Sequence, residues 1–270
     1  IKQQMLYEQN FQNKNKKAFY EHFSQVYFDK VKNEKLMELK LTPLESFLLT
    51  DIDDLSSEGS TLKKLITLNI SENLLRKITL GTKESDFPSL RTFKASTNRI
   101  EEVNISNLKS LKEIDLSNNN LRSIPDFSNV KGDVKVLILS SNKITEIKFD
   151  HFLNFANLKK FKISNNLIDF KNEDIIDKEI CVNFNEFREI RSIRMEENPY
   201  CKNEAIISYL FQQMSLLRNS EKKEIKLNGI PLSPIPPGQV GKLRINIEPG
   251  IDRLSKHSSE EINLKLQSSK

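Results

Sequence analysis

Several residue types are scarce in this 270-residue chain, and each scarcity excludes a class of protein. Only two cysteines are present, Cys181 and Cys201, so a framework of several disulfides is excluded, and we expect free thiols in a reducing compartment. No stretch approaches the ~20 consecutive apolar residues that a membrane-spanning helix requires. Tryptophan is absent, and we expect the 16 phenylalanines to fill a core.

Residues that carry catalysis are not grouped in this sequence. The three histidines, His22, His151 and His257, lie far apart, and none has a cysteine or carboxylate partner at the spacing of a metal or catalytic site. Residues 238–243 (GQVGKL) approach a phosphate-binding loop, but they lack its four-residue glycine spacing and its Ser or Thr after the lysine. We interpret the acidic run 51–54 (DIDD) as a solvated loop. The sequence therefore predicts no enzyme, cofactor, metal or small-molecule substrate.

The charge of the chain is mixed along the sequence. The 42 basic and 37 acidic residues give a net charge of +5 and are spread throughout. Direct binding of nucleic acid usually needs basic residues gathered into a patch or stripe. We therefore expect a solvated surface and no direct contact with nucleic acid.

A repeated unit dominates the sequence. Its pattern is Leu-x-x-Leu-x-Leu-x-x-Asn-x-Leu, and residues 111–121 (LKEIDLSNNNL) fit it at every position. Successive units begin at residues 65, 90, 111, 134, 158 and 190, and an insertion at 171–187 lengthens the last interval. Self-similarity at such a period predicts a solenoid, in which each repeat packs on its neighbours. Six asparagines occupy the ninth position of the units: Asn73, Asn98, Asn119, Asn142, Asn166 and Asn198.

Each unit is predicted to form one short strand of a parallel sheet. Because side chains alternate across a strand, the fourth and sixth residues should point into the core, and the third, fifth and seventh outward to a concave face. The predicted inward pairs are Leu68/Ile70, Phe93/Ala95, Ile114/Leu116, Leu137/Leu139, Phe161/Ile163 and Ile193/Met195.

We interpret the ninth-position asparagines as structural. Where the chain turns after each strand, backbone groups lose their sheet partners, and a buried side-chain amide can both donate to and accept from them. A stacked ladder of these six side chains is therefore expected inside the solenoid. Beyond each asparagine, apolar residues such as Ile124, Phe127, Ile147 and Phe152 are expected to line the convex side, where short helical turns would close each coil.

Two segments indicate the kind of repeat. Residues 121–127 (LRSIPDF) have the spacing of the short intracellular leucine-rich repeat, and the last unit is followed by 198–201 (NPYC), an amphipathic stretch at 205–217 and 225–232 (IKLNGIPL). This order resembles the C-terminal cap of the protein phosphatase 1 regulatory-subunit and axonemal leucine-rich repeat class, except that Asn228-Gly229 replaces the usual Asp-Gly. The resemblance implies an α/β solenoid, a horseshoe with a parallel concave sheet, and a buried Cys201.

These features divide the chain into four parts. Residues 1–35 are predicted to form an N-terminal helical extension, because Tyr20, Phe23, Tyr27 and Val31 recur at helical spacing. It would cap the solenoid or dock on a partner. The remaining parts are the repeats at 36–198, which open with a degenerate strand at 36–41 (LMELKL), the C-terminal cap at 199–232, and an extended Pro-containing tail at 233–270.

Outward residues of the central repeats form the candidate partner-binding face. They comprise an acidic pair, an apolar pair and a basic pair on three neighbouring strands, flanked by one basic residue on each side: Glu113, Asp115, Val136, Ile138, Lys160, Lys162, Lys94 and Arg194. An exposed apolar anchor between opposite charges gives a docked protein both affinity and orientation. The alternative is that Val136 and Ile138 reflect strand propensity and that the charges neutralise one another across strands.

We therefore expect a non-enzymatic scaffold that joins protein partners in a multi-subunit assembly of the cytoplasm. Within the class that the chain resembles, a ciliary, axonemal or cytoskeletal assembly is the expected location. Two alternatives stay open: a regulatory subunit that docks on a phosphatase catalytic subunit, and a protein-binding component of a ribonucleoprotein.

Overall fold

The computed structural model describes residues 38–40, 63–216 and 226–231 of the chain. Within these ranges it contains a main sheet of nine strands, a second sheet of two strands and several short helices. Some predictions concern residues outside the described ranges: the N-terminal helix within 1–35, the acidic run at 51–54, the segment 238–243, the tail at 233–270, and both His22 and His257.

Each repeat contributes one short strand to the main sheet. Along the chain the strands are β1 (Glu38–Lys40), β2 (Thr67–Asn69), β3 (Lys77–Leu80), β4 (Thr92–Lys94), β5 (Glu102–Ile105), β6 (Glu113–Asp115), β7 (Val136–Ile138), β8 (Lys160–Lys162), β9 (Ser192–Arg194), β10 (Lys226–Leu227) and β11 (Ile230–Pro231). The main sheet has the order β1-β2-β4-β6-β7-β8-β9-β10-β11, and all neighbours from β1 to β10 are parallel. β1 lies where the degenerate first strand was predicted and pairs with β2.

The core lies directly beneath this sheet. Every one of the six predicted inward pairs is fully buried, with 0% exposure at both positions. Full burial of one such apolar side chain contributes about 1.5–3 kcal/mol relative to leaving it exposed. Because neighbouring strands cover these side chains, the stability of each repeat depends on the repeats beside it.

The first two described repeats close differently from the prediction. Helical turns were expected on their convex side, but β3 and β5 pair there as a second, parallel sheet. The segments KITL and EVNI explain this result, because their apolar residues alternate with a period of two rather than with helical spacing. Ile78, Leu80 and Ile105 are buried accordingly, and Val103 is partly buried against the same core.

Helical turns close the fourth and fifth repeats. A short 3-10 turn, Phe149–His151, serves the fourth repeat. The insertion at 171–187 folds as a continuous helical segment with a π-helical centre, whose first turn is capped by Asn172 through a 3.2 Å bond from the amide of Ile175. Its parts are α1 (Glu173–Ile175), the π-helical turn Ile176–Cys181 and α2 (Val182–Phe184).

Phenylalanines join this helical segment to the repeats. Phe184 meets Phe149 edge to face with ring centroids 5.0 Å apart, and Phe187 stacks on Phe152 at 5.5 Å. Phe152 also stacks on Phe161 of β8 at 5.2 Å. The inserted residues therefore complete the core instead of forming a surface excursion, as all five rings are buried.

The C-terminal cap begins with a 3-10 turn, Pro199–Lys202, and continues into α3 (Glu204–Ser215). Asn203 caps α3, because its Oδ1 accepts from the amides of Ala205 and Ile206 at 3.1 and 3.3 Å. The predicted amphipathic stretch is confirmed over these residues, with Ile206, Ile207, Leu210, Phe211 and Met214 buried.

A tight hairpin ends the main sheet. β10 and β11 pair antiparallel, and Asn228 and Gly229 between them have φ values of +53° and +83°. Two consecutive residues with positive φ form the type I′ turn that two-residue hairpins favour. Asn228 also turns its side chain back, so that Oδ1 accepts from the amide of Met195 at 2.9 Å.

Candidate protein-binding face

The ninth-position asparagines link adjacent repeats through one recurring set of hydrogen bonds. Asn142 shows the pattern: Nδ2 donates to Leu116 O on the preceding strand and to Leu139 O on its own strand, each at 3.0 Å. Its Oδ1 accepts from the amide of Leu121 at 3.0 Å. The same arrangement recurs at Asn98, Asn119, Asn166 and Asn198, and Asn73 donates to the carbonyls of its own turn.

Each sixth-position carbonyl between Ile70 and Ile163 consequently accepts from two asparagines. The last of these carbonyls, Met195 O, accepts from Asn198 Nδ2 and from the hydroxyl of Tyr200, both at 2.8 Å. Tyr200 thus supplies the donor that a further repeat would otherwise provide. Its ring packs on Phe170 at 4.6 Å, and burial raises the pKa of its phenol well above the usual value.

Outward side chains form straight rows across the concave face, because neighbouring strands pair in register. One row runs Thr92, Glu113, Val136, Lys160 and Ser192. A second row runs Lys94, Asp115, Ile138, Lys162 and Arg194. The acidic, apolar and basic pairs predicted from the sequence are therefore side by side on β6, β7 and β8.

The apolar pair differs from the prediction in its exposure. Val136 and Ile138 point outward but are half-buried rather than exposed. Each lies in register between an acidic residue on β6 and a lysine on β8. A partner would therefore meet these two side chains between an acidic and a basic pair.

Ion pairing on this face is uneven. Lys94 Nζ lies 3.8 Å from Glu113 Oε1, so the charges at the N-terminal side partly neutralise one another across strands. Asp115 instead accepts from the hydroxyl of Ser117 at 2.6 Å. Among the described residues, neither Lys160 nor Lys162 has a carboxylate within ion-pair distance.

The seventh positions, which were predicted to point outward, form a third row. This position is serine in five consecutive repeats and glutamate in the sixth: Ser71, Ser96, Ser117, Ser140, Ser164 and Glu196. Ser96 donates its hydroxyl to Ser71 Oγ at 3.0 Å, and Arg194 donates to Glu196 at 3.1 Å. The members of this row lie more than 20 residues apart in the chain.

Groups with catalytic chemistry have structural roles in the described ranges. His151 is fixed by a 2.7 Å contact between Nδ1 and Ile124 O. Burial, followed by the nearby charge of Asp177, raises the pKa of Cys181 to about 12, which keeps this thiol protonated. Cys201 is half-buried, so the expectation of a buried thiol is wrong, because the neighbouring Tyr200 occupies the core position.

Neither a metal-binding cluster nor a membrane-spanning helix is found among the described residues. No group of three or more His, Cys, Asp or Glu side chains is placed there to hold a metal ion. Across the same residues, every helix is too short or too polar to cross a membrane.

Known proteins share the repeat pattern with this chain. Residues 110–130 match the sequence profile of the Leucine Rich Repeat family. Protein PAC2 of Saccharomyces cerevisiae is 34% identical over 143 residues, which cover 50% of this chain and 26% of PAC2. Human Leucine-rich repeats and immunoglobulin-like domains protein 3 is 36% identical over 69 residues, which cover 26% of this chain and 6% of that protein. A solved LRR protein of Leptospira interrogans aligns with 73% of this chain and 49% of its own, at 16% identity and a TM-score of 0.41.

The chain therefore spans about a quarter or less of the two curated relatives. The profile match falls on the unit that begins at Leu111, the one that fits the repeat pattern best. The described strands are parallel, one per repeat, with the fourth and sixth residues buried and asparagines bridging the turns. The described residues therefore fold as a leucine-rich repeat solenoid, and one unit of the chain matches the Leucine Rich Repeat profile.

Proposed function

We propose that this chain is a non-enzymatic scaffold that docks a protein partner on the centre of its concave face. One observation carries the proposal: in two neighbouring rows, an apolar side chain lies in register between an acidic and a basic one. The two triplets are Glu113–Val136–Lys160 and Asp115–Ile138–Lys162. Strands are about 4.8 Å apart, so the patch is ~10 Å wide, the size of one docked element of a partner.

The composition of the patch indicates the chemistry of its partner. Val136 and Ile138 can anchor an apolar side chain, and their charged neighbours would surround that contact and exclude water. A matching partner carries a basic group toward Glu113 and Asp115 and an acidic group toward Lys160 and Lys162. Charges arranged in this way act mainly on orientation and association rate, whereas the apolar contact supplies most of the affinity.

We further propose that the partner belongs to a ciliary, axonemal or cytoskeletal assembly in the cytoplasm. The support is the resemblance of the cap, whose three segments follow one another as a 3-10 turn, α3 and a hairpin. The regulatory-subunit and ribonucleoprotein alternatives predict other partners, a phosphatase catalytic subunit and an RNA-binding protein.

The test is recovery of partners by the tagged full chain from its own cells, followed by mass spectrometry. The test variant is Val136→Asp/Ile138→Asp, which places two charges between the acidic and basic pairs. A matched control, Thr67→Asp/Asn69→Asp, adds the same charge at the same two positions of β2. Thermal unfolding of each variant shows whether the solenoid is intact.

We expect the β7 variant to lose a stoichiometric partner that the β2 control retains. Equal recovery by both variants would contradict docking at this patch. Axonemal or tubulin-associated proteins among the lost partners would support the proposed assembly. A phosphatase catalytic subunit or an RNA-binding protein in their place would support the corresponding alternative.

A further inference from the structure

A row of basic side chains follows the edge where the chain enters the main sheet. The second position of five consecutive repeats is Lys or Arg: Arg91, Lys112, Lys135, Lys159 and Arg191. Their backbones are joined in sequence, because the amides of Lys112, Lys135, Lys159 and Arg191 each donate to the carbonyl of the preceding member at 2.8–2.9 Å. These five residues, called the basic row below, are therefore immediate neighbours although 21–32 residues separate them in the chain.

The opposite edge of the sheet has no basic residue in these five repeats. Their seventh and eighth positions are uncharged in four repeats and acidic in the last, where they are Glu196 and Glu197. Charge therefore changes across the face, from basic to neutral or acidic. The solenoid aligns basic residues that the linear sequence separates, so charges that are mixed along the sequence are sorted on this face.

Members of the basic row differ in how far they are neutralised. Lys112 and Lys135 share the carboxylate of Asp133, at 3.0 and 3.6 Å. A hydrogen bond from Asn157, followed by one from Lys112, lowers the pKa of Asp133, so this carboxylate stays ionised. Arg91, Lys159 and Arg191 are exposed and have no carboxylate within ion-pair distance in the described part of the chain.

Basic charge also extends from this row onto the concave face. Lys160 follows Lys159 directly, and Lys162 lies two positions further along the same strand. Together with Arg191, these three lysines form a basic cluster at the C-terminal half of the sheet. No described carboxylate lies within ion-pair distance of the lysines.

We propose that the basic row binds an acidic segment of a protein partner, lying across the strands. The row covers four strand intervals of about 4.8 Å, or ~19 Å in all. Six residues of extended chain at ~3.3 Å each have the same length, so a short acidic stretch can face all five positions. This contact is additional to the apolar patch of the proposed function and does not depend on Val136 or Ile138.

Protein fits this surface better than nucleic acid for two reasons. Binding of single strands relies on aromatic side chains on which bases stack. The second, third, fifth and seventh positions of the six repeats contain no Phe or Tyr. A wide duplex would, in addition, bring its phosphates toward Glu196 and Glu197 at the opposite edge of the last repeat.

The test uses the full chain and a fluorescein-labelled decaglutamate peptide, with fluorescence anisotropy at ~20 mM salt, where screening is weak. The test variant is Arg91→Glu/Lys159→Glu/Arg191→Glu, which reverses the three members without ion pairs. A matched control, Arg76→Glu/Arg122→Glu/Lys143→Glu, makes the same change of net charge at exposed residues outside the main sheet. Unlabelled oligothymidylate of equal charge serves as competitor.

We expect the peptide to bind the wild-type chain and the control within about threefold of each other, and to bind the test variant at least about tenfold more weakly. Three results would overturn the proposal. Equal losses of peptide affinity in the two variants would show that only net charge matters, and absence of peptide binding would show that the row is a solvated edge. Stronger competition by oligothymidylate than by unlabelled decaglutamate would favour nucleic acid as the ligand. Val136→Ala/Ile138→Ala, which removes the apolar anchors without changing the charge, should bind the peptide normally, and this result would separate the contact from the apolar patch.

Discussion

Replacing Asn142 with alanine tests the ladder at its centre. Asn142 is 8% exposed and bonds both its own repeat and the preceding one. The substitution removes three donated contacts, to Leu116 O, Leu139 O and Ser140 O, and one accepted contact from the amide of Leu121. We expect a large loss of stability without a change of fold.

The size of that loss follows from which groups keep a partner. Leu116 O still accepts from Asn119, and Leu139 O from Asn166, each at 3.0 Å. Loss of the second bond at these carbonyls should cost ~0.5–1 kcal/mol each. The buried amide of Leu121 loses its acceptor, Asn142 Oδ1, and leaving such an amide without a partner costs about 1–3 kcal/mol of stability. The free energy of unfolding should therefore fall by about 3 kcal/mol, a large share of the 5–15 kcal/mol typical of a domain.

The assay is equilibrium unfolding in urea followed by far-UV circular dichroism, since the chain has no tryptophan. Asn120→Ala is the matched control, because Asn120 lies one residue past the ladder position of its repeat and is half-buried. We expect the control to lose no more than ~0.5 kcal/mol. Asn142→Asp should be worse than Asn142→Ala at neutral pH, because a carboxylate would face three carbonyls. Its stability should partly recover at acidic pH, where the protonated side chain regains one donor.

A loss below about 1 kcal/mol for Asn142→Ala would refute the reasoning, because a buried orphan amide alone should cost that much. Equal losses for Asn142→Ala and Asn120→Ala would have the same meaning. They would show that the ladder is geometrically regular but contributes little net free energy.

Three other perturbations test the ends of the solenoid and its thiol. Tyr200→Phe keeps the ring but removes the hydroxyl that donates to Met195 O, so the free energy of unfolding should fall by about 1 kcal/mol. Because burial raises the pKa of Tyr200, wild-type stability should fall as pH rises above ~10, where the unfolded phenol ionises, and Tyr200→Phe should flatten that fall in urea titrations. In a Cys201→Ala background, folded Cys181 should react with iodoacetamide at least about tenfold more slowly than after urea unfolding, because burial raises its pKa to about 12. A rate near the unfolded one would contradict its burial. Gly229→Ala should lower the free energy of unfolding by ~1 kcal/mol, because Gly229 has a φ of +83° that alanine disfavours. The added Cβ would lie 3.6 Å from Arg194 Nη2, which is an ordinary contact, so no clash would add to this loss.

The parts of the fold that depend on side-chain alternation were predictable. The inward pairs are buried, and β6, β7 and β8 carry the acidic, apolar and basic pairs, because a strand side chain has only two directions. The convex side was harder to predict. There, KITL and EVNI form strands while 171–187 forms a helix, and the repeat period does not distinguish these outcomes.

Some features that neighbouring repeats create were missed. The basic row occupies the second position, which lies before the strand and outside the alternation that was used to assign the concave face. Tyr200 occupies a donor position that no pattern assigns to tyrosine. The Asn228-Gly229 pair is a known hairpin signal, but it was interpreted only as a departure from the Asp-Gly of a cap.

The sharing of each sixth-position carbonyl by two asparagines has a consequence for how such a chain can lengthen or shorten. A whole repeat carries one carbonyl and one asparagine, so inserting or deleting a complete unit leaves every donor and acceptor matched. Removing part of a unit would instead strand an amide or a carbonyl in the core. The intervals of 21–32 residues show that the connecting loops absorb length changes freely while the bonded turn does not. The unit that can be inserted or deleted is therefore set by the matching of one asparagine to one carbonyl. It extends from one asparagine turn to the next.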